Sequence, residues 1–172
     1  MAAGPTYTPI ATTTGNGATN TISFTSIPQT YTDLILICNA FVSSDAINMY
    51  TTVNGSGSGY SKTWMGGNGT SASSSRATST SQWTMSDGPL GNGSSTAPMY
   101  MQMQFHNYSN TTTSKTMLAR QHIVGATYNG VVASVNLWSN TNAINRIDIY
   151  CQSGSYYLRS DATFTLYGIA AA

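Results

Sequence analysis

Apolar and polar residues alternate with a period of two along most of this chain, and this pattern constrains the fold more than any other feature. In Pro98–His106, three methionines and Phe105 occupy every second position, with polar or amphipathic residues between them. Successive side chains of a strand point to opposite faces, so the pattern is typical of a half-buried strand. No window of about a dozen residues holds a comparable helical stripe. The chain is therefore predicted to be all-β.

Eight segments carry this alternation or a continuous apolar run, and turn-forming residues separate them. The eight segments are Thr21–Ile27, Asp33–Val42, Ala46–Val53, Pro98–His106, Lys115–Val124, Val131–Trp138, Ile144–Cys151 and Ala162–Ile169. Tyr60–Met65 and Ser81–Met85 are shorter candidates. Asp33–Val42 is apolar on both faces, which predicts a central strand. Many short strands with turns between them predict an antiparallel sandwich or a barrel.

Two segments fall outside the predicted strands. Residues 1–20 are rich in Thr and Gly and are predicted to form an extended N-terminal arm, with Tyr7–Thr12 as an alternative edge strand. Residues 66–80 show no periodicity, and the region 66–95 is predicted to be a long variable loop. The sandwich domain is then expected to span residues 21–172, a length sufficient for one hydrophobic core.

Charge is unusually scarce in this chain. Of its 172 residues only 6% are charged: six Lys or Arg, five Asp and no Glu. Six scattered basic residues cannot neutralise a run of phosphates, so nucleic acid is not an expected partner. No apolar stretch approaches the roughly 20 residues of a membrane span, and the N-terminus lacks the signal-peptide pattern. So little charge suits a protein packed beside copies of itself or a partner, although a polar, loop-rich β protein has the same composition.

Residues suited to catalysis are few. The titratable candidates are His106, His122 and five aspartates, and none lies in a known catalytic or metal-binding motif. Gly55–Thr63 resembles a phosphate-binding loop only in part, because Ser61 replaces the glycine that the motif requires before Lys62. We therefore expect a protein that is not an enzyme, with no catalytic residue, no metal and no cofactor.

Two further pairs have plain structural interpretations. Cys38 and Cys151 lie in apolar runs without metal-ligand spacing, which favours buried free thiols over a disulfide. Arg146 and Asp148 share one face of a predicted strand, which predicts a surface ion pair worth at most about 1 kcal/mol.

Aromatic residues near predicted loops are the main candidates for binding. They are Trp64, Trp83, Trp138, Tyr156 and Tyr157. Exposed rings stack on sugars or anchor protein interfaces, whereas rings packed between sheets belong to the core. The sequence leaves both interpretations open for each ring.

Three groups of segments, taken in order, carry a family resemblance. They are Tyr7–Thr14 with Ile22–Leu36, Val53–Gly55 followed by Tyr60 and Ser61, and Ala162–Ile169. The series resembles small β-sandwich modules of tailed bacteriophages, frequent in phages of cyanobacteria and other aquatic bacteria. Such modules occur as separate virion proteins and as C-terminal modules of tail fibres. Gly55–Gly59 is neutral here, whereas family members often carry more charge at this turn.

The resemblance implies a jelly-roll-like sandwich with a structural or attachment role in a virion, as a homotrimer. We expect a capsid decoration or cement protein that binds the major capsid protein on the outer shell and stabilises it. Tyr7, Pro9 and Ile10 of the arm are then the candidate capsid contacts. The alternative is a tail-fibre or receptor-binding module that presents the 66–95 region, with Trp64 and Trp83, to a host surface glycan. A polysaccharide depolymerase is a third possibility.

Overall fold

Two antiparallel sheets make up the part of the chain that the computed structural model describes, which is residues 6–85, 94–124 and 129–170. Their strands, in chain order, are β1 (Tyr7–Thr14), β2 (Thr21–Phe24), β3 (Asp33–Ala40), β4 (Met49–Val53), β5 (Tyr60–Gly67), β6 (Ala72–Thr80), β7 (Trp83–Thr84), β8 (Met99–His106), β9 (Lys115–Val124), β10 (Asn129–Trp138), β11 (Ile147–Cys151) and β12 (Thr163–Ile169). The larger sheet has the order β1-β12-β3-β8-β9-β10-β5-β6, and the smaller has β2-β11-β4-β7. The predicted all-β sandwich is confirmed.

The core lies between the sheets and follows the alternation in the sequence. On β8 the three methionines and Phe105 are fully buried, and the residues between them are only partly so. β3 lies between β12 and β8, with consecutive buried residues at Leu34, Ile35 and Leu36, as expected for a central strand. Ile147 and Ile149 of β11 contribute to the same core from the smaller sheet. On these three strands the named apolar positions of the pattern are buried.

The N-terminal segment is extended, as predicted, but it is not a detached arm. β1 pairs with β12 along its whole length, so it is the edge strand of the larger sheet. The following turn is fixed as well, because the Gly15 N–H donates to the Ala162 carbonyl at 3.0 Å. Pairing within its own chain satisfies the backbone groups on one side of this segment. Of the two alternatives for this region, the edge strand is the one that the structure has.

The region predicted as a loop contains a strand. β6 pairs with β5, and seven of its nine residues are exposed. Because neither face of β6 is covered, its sequence needs no alternation of apolar and polar residues, and the period-two signal is lost. β7 comprises two residues of the predicted Ser81–Met85 strand. Residues 86–93 of the predicted loop lie outside the described residues.

Candidate functional site

Polar, aromatic and exposed apolar side chains collect on the face of the larger sheet that points away from the smaller one. We call this the outer face. On β8 it carries the residues that alternate with the buried ones, and cross-strand partners share a face. The strand register therefore builds rows across β8, β9, β10, β5 and β6. The first row is Tyr100, His122, Val131, Gly67 and Ala72; the second is Gln102, Arg120, Ala133, Met65 and Ser74; the third is Gln104, Leu118, Val135, Thr63 and Arg76.

A cleft of about 940 Å³ lies over the first two rows. The rings of Tyr100 and His122 stack in it, with centroids 5.3 Å apart and planes inclined by 24°. Val131 and Met65 line it with 62% and 66% of their surface exposed. Serine side chains of β6 stand along its border. We call the groove lined by Tyr100, His122, Arg120, Val131 and Met65 the ring cleft.

Arg120 is the cationic side chain of the ring cleft. Its Nε and Nη2 donate to Oε1 of Gln102, the cross-strand neighbour, at 3.1 and 2.6 Å. A guanidinium has five N–H groups, so three remain for a ligand after these two bonds. In the described residues no carboxylate forms an ion pair with Arg120. Gln102 thus orients the guanidinium without neutralising it.

Charge is distributed unevenly between the two halves of the molecule. The five strands under the outer-face rows contain four of the six cationic residues, both histidines and no aspartate. The other two cations, Arg146 and Arg159, form ion pairs with Asp148 and Asp161. Asp33, the carboxylate nearest in the sheet, lies beyond the third row and contacts His106 at 3.3 Å. Of the four cations on these strands, Arg120 and Arg76 lie on the outer face, whereas Lys62 and Lys115 are buried on the other face. The described part of the outer face around the ring cleft therefore carries cations and no carboxylate.

The five rings predicted as binding residues do not form one surface. Trp83 and Trp138 are only 0% and 2% exposed, so they cannot stack on a glycan, and for them the core interpretation is the right one. Trp64 and Tyr156 are half-buried, and Tyr157 is exposed. Chain position near a loop could not distinguish these cases, because burial of each ring depends on which sheet lies opposite.

The residues that do form the cleft were missed by the sequence analysis. The sequence identifies His122 only as one of several titratable candidates, and it gives no reason to select Tyr100 or Arg120. They lie about 20 residues apart along the chain and meet only because β8 and β9 are paired in one particular register. Alternation could place them on the polar face of their strands, but not opposite each other.

The predicted surface ion pair of Arg146 and Asp148 is formed, but only the Arg146 side is at the surface. Asp148 is 5% exposed, and it accepts hydrogen bonds from Arg146 Nε at 2.9 Å and from Ser23 Oγ at 2.6 Å. Its strand, β11, lies between β2 and β4, which cover it on both sides. A buried carboxylate is costlier to leave unpaired than the roughly 1 kcal/mol expected of an exposed pair.

The other predicted residues have ordinary structural positions. Cys38 and Cys151 are buried free thiols, as predicted, and burial raises the pKa of the Cys151 thiol to about 11. Tyr7, Pro9 and Ile10 lie on β1; Tyr7 is 57% exposed, whereas Ile10 packs against the core.

The part of the chain that the structure describes contains neither a group of residues suited to a metal ion nor a helix suited to cross a membrane. Within it, no three His, Cys, Asp or Glu side chains are grouped so that they could hold a metal ion. The same residues include no helix long and apolar enough to cross a membrane.

Comparisons with known proteins identify no family and include a weak structural likeness. No protein-family model and no curated protein matches the sequence. Among solved structures, the chain is similar to the marine PL-14 alginate lyase from Aplysia kurodai, with a TM-score of 0.34 and 13% identity. The match covers 85% of this chain and 72% of the lyase.

Proposed function

We propose that this chain is a non-enzymatic structural protein of a tailed-phage virion, a decoration protein that binds the outer capsid shell as a homo-oligomer and stabilises it. The observation that carries the proposal is the open edge of the larger sheet at β6. The segment resemblance described above and the low charge of the chain support the same function.

β6 has the properties of a strand that receives a partner. It is nine residues long and contains no proline and a single charged residue, Arg76. Among residues 6–85, 94–124 and 129–170, only β5 pairs with it. Exposed edges of this kind present unpaired N–H and C=O groups to another chain, and proteins that avoid such pairing protect their edges with prolines, bulges or charges. The opposite edge is protected by Pro9 of β1, a residue type that β6 lacks. The two edge strands do not differ in register irregularity, since each is paired with one register shift, between Pro9 and Ala11 on β1 and between Tyr60 and Lys62 on the partner of β6.

Exposed apolar residues extend the contact surface beside this edge. Leu118, Val135 and Leu137 are exposed on the outer face, two strands or fewer from β5. An apolar surface next to an open edge favours a protein partner, because strand addition gives hydrogen bonds and the apolar residues give burial. A trimer requires a head-to-tail contact, so β6 of one copy would meet a different surface of the next. The exposed Tyr7 on the β1 edge remains available for the major capsid protein.

The location in the virion is tested by copy number. Quantitative mass spectrometry of purified particles that carry the protein should find hundreds of copies, in a simple ratio to the major capsid protein. A few to a few tens of copies would contradict decoration and favour the tail-fibre or receptor-binding alternative. Absence from clean particles would contradict any virion function.

The role of β6 is tested by adding charge to the edge. With Ser75→Lys and Thr78→Lys together, we expect the purified chain to change from a trimer to a monomer in light scattering, because lysines on an edge strand oppose the addition of another strand. Both residues are exposed, so the fold should persist. Ala11→Lys with Thr14→Lys adds the same charge to exposed positions of β1 and should leave the trimer intact. A wild-type monomer at all concentrations, or equal effects of both pairs, would contradict the assignment.

A further inference from the structure

The ring cleft has the chemistry of a sugar-binding groove. Ligand pockets commonly measure about 300–1,000 Å³ and combine apolar walls with a few fixed polar groups. Here the apolar part comes from Met65, Val131 and the stacked Tyr100 and His122 rings, and Arg120 is the fixed polar group. A pyranose has a C–H face that packs on rings and aliphatic side chains, and a rim of hydroxyls that hydrogen-bond to neighbours such as Ser74.

The charge of the cleft selects among sugars. Arg120 has three N–H groups left after its bonds to Gln102, and a planar guanidinium matches a carboxylate with two parallel hydrogen bonds. None of the described residues supplies a competing carboxylate within the first two rows, whose strands contain no aspartate. A neutral sugar would leave this oriented cation without a counter-charge. A nucleic acid would require several phosphate contacts, whereas one oriented guanidinium serves a single anionic group.

We propose that the ring cleft binds a carboxylated sugar unit of an acidic polysaccharide, with the carboxylate on Arg120 and the sugar ring against Tyr100, His122 and Val131. This goes beyond the structural role proposed above and does not depend on it. A decoration protein with this property would attach its particle to acidic surface glycans. Copy number and oligomeric state report on the first proposal, and ligand binding in solution reports on this one.

The test is calorimetric titration of the full chain with a panel of oligouronates, namely oligomers of galacturonate, mannuronate, guluronate and hyaluronan. We expect at least one of them to bind. Its neutral counterpart, for example methyl-esterified oligogalacturonate in place of oligogalacturonate, should bind at least about tenfold more weakly, because the ester removes the charge and keeps the ring. Absence of binding by every member of the panel at millimolar concentration would overturn the proposal. If the chain bound dextran sulfate, which carries sulfates and no carboxylate, but bound no uronate, the proposal would also be overturned.

Substitutions locate the site. Arg120→Gln should weaken binding of the uronate by about tenfold or more, since it removes a charge-assisted pair. Arg76→Gln is the matched control: it makes the same change in the third row, outside the ring cleft, and should alter affinity less than about twofold. Because Arg76 lies on the β6 edge, light scattering is used to show that both variants have the oligomeric state of the unmodified chain. Both arginines are exposed, so thermal unfolding should show that both variants are folded. Equal affinity of Arg120→Gln and the unmodified chain, or equal losses in both variants, would place the ligand elsewhere and overturn the proposal.

Discussion

Replacing Trp83 with alanine is expected to lower the free energy of unfolding by about 4 kcal/mol. The ring is fully buried, lies 5.1 Å from the Tyr60 ring in an edge-to-face arrangement, and is 6.2 Å from Phe105. Its Nε1 donates to the Leu137 carbonyl at 3.1 Å, so the substitution leaves a cavity and also removes the hydrogen-bond donor. The effect is large because β7 has only two residues, and Trp83 is the one that packs into the core.

Equilibrium denaturation by urea, followed by circular dichroism at one fixed protein concentration, measures this change. Trp64→Ala is the matched control, since it removes the same side chain from a half-buried position on β5 and should cost less than about half as much. Similar losses at the two positions would contradict the placement of Trp83 between the sheets. The experiment also shows why Trp83→Ala is unsuitable as a test of glycan binding, because any loss of binding would follow from loss of stability.

Replacing Gly15 with alanine is expected to lower the free energy of unfolding by about 3 kcal/mol. An added Cβ would lie 2.0 Å from the Arg159 carbonyl oxygen and 2.7 Å from that of Leu158, and both are backbone atoms that cannot move aside as a side chain would. The Gly15 N–H is also bonded to Ala162, so the strain would be transmitted to the start of β12.

Gly57→Ala is the control for the glycine substitution. A Cβ at Gly57 meets no atom within 4 Å, so the free energy of unfolding should stay within about 0.5 kcal/mol of the unmodified chain. Urea denaturation under the same conditions compares the two variants. If Gly15→Ala proved as harmless as Gly57→Ala, the segment after β1 would not be fixed against residues 158–162. The N-terminal segment would then be a detached arm and not an edge strand.

The local sequence pattern predicted some of these structural features and missed others. The alternation on β8 and the apolar run on β3 predicted buried strands correctly, because half-burial or full burial of a strand imposes its period directly on the sequence. β6 was missed for the converse reason, since an uncovered strand carries no such period. Gly15 gave no signal at all, because its constraint comes from a backbone segment more than 140 positions away.

The candidate binding residues could likewise be predicted only in part. Each residue of the ring cleft lies in a strand that the sequence identified, yet their meeting depends on the pairing of β8 with β9, of β9 with β10 and of β10 with β5. Trp83 and Trp138 had been candidates for an exposed site, and the packing of the two sheets buries both.

The sequence by itself determined the all-β class, most strand positions, the buried thiols and the low charge, because each of these depends on residue type or on neighbours within a few positions. The tertiary structure alone decided that β1 is an edge strand, that β6 is an open one, that Asp148 is covered by β2 and β4, and that Tyr100, Arg120 and His122 share a cleft. The physical reason is that strand order and register are set by hydrogen bonds and packing between segments far apart in the chain. Period-two alternation specifies the face of a residue but not its neighbour on that face.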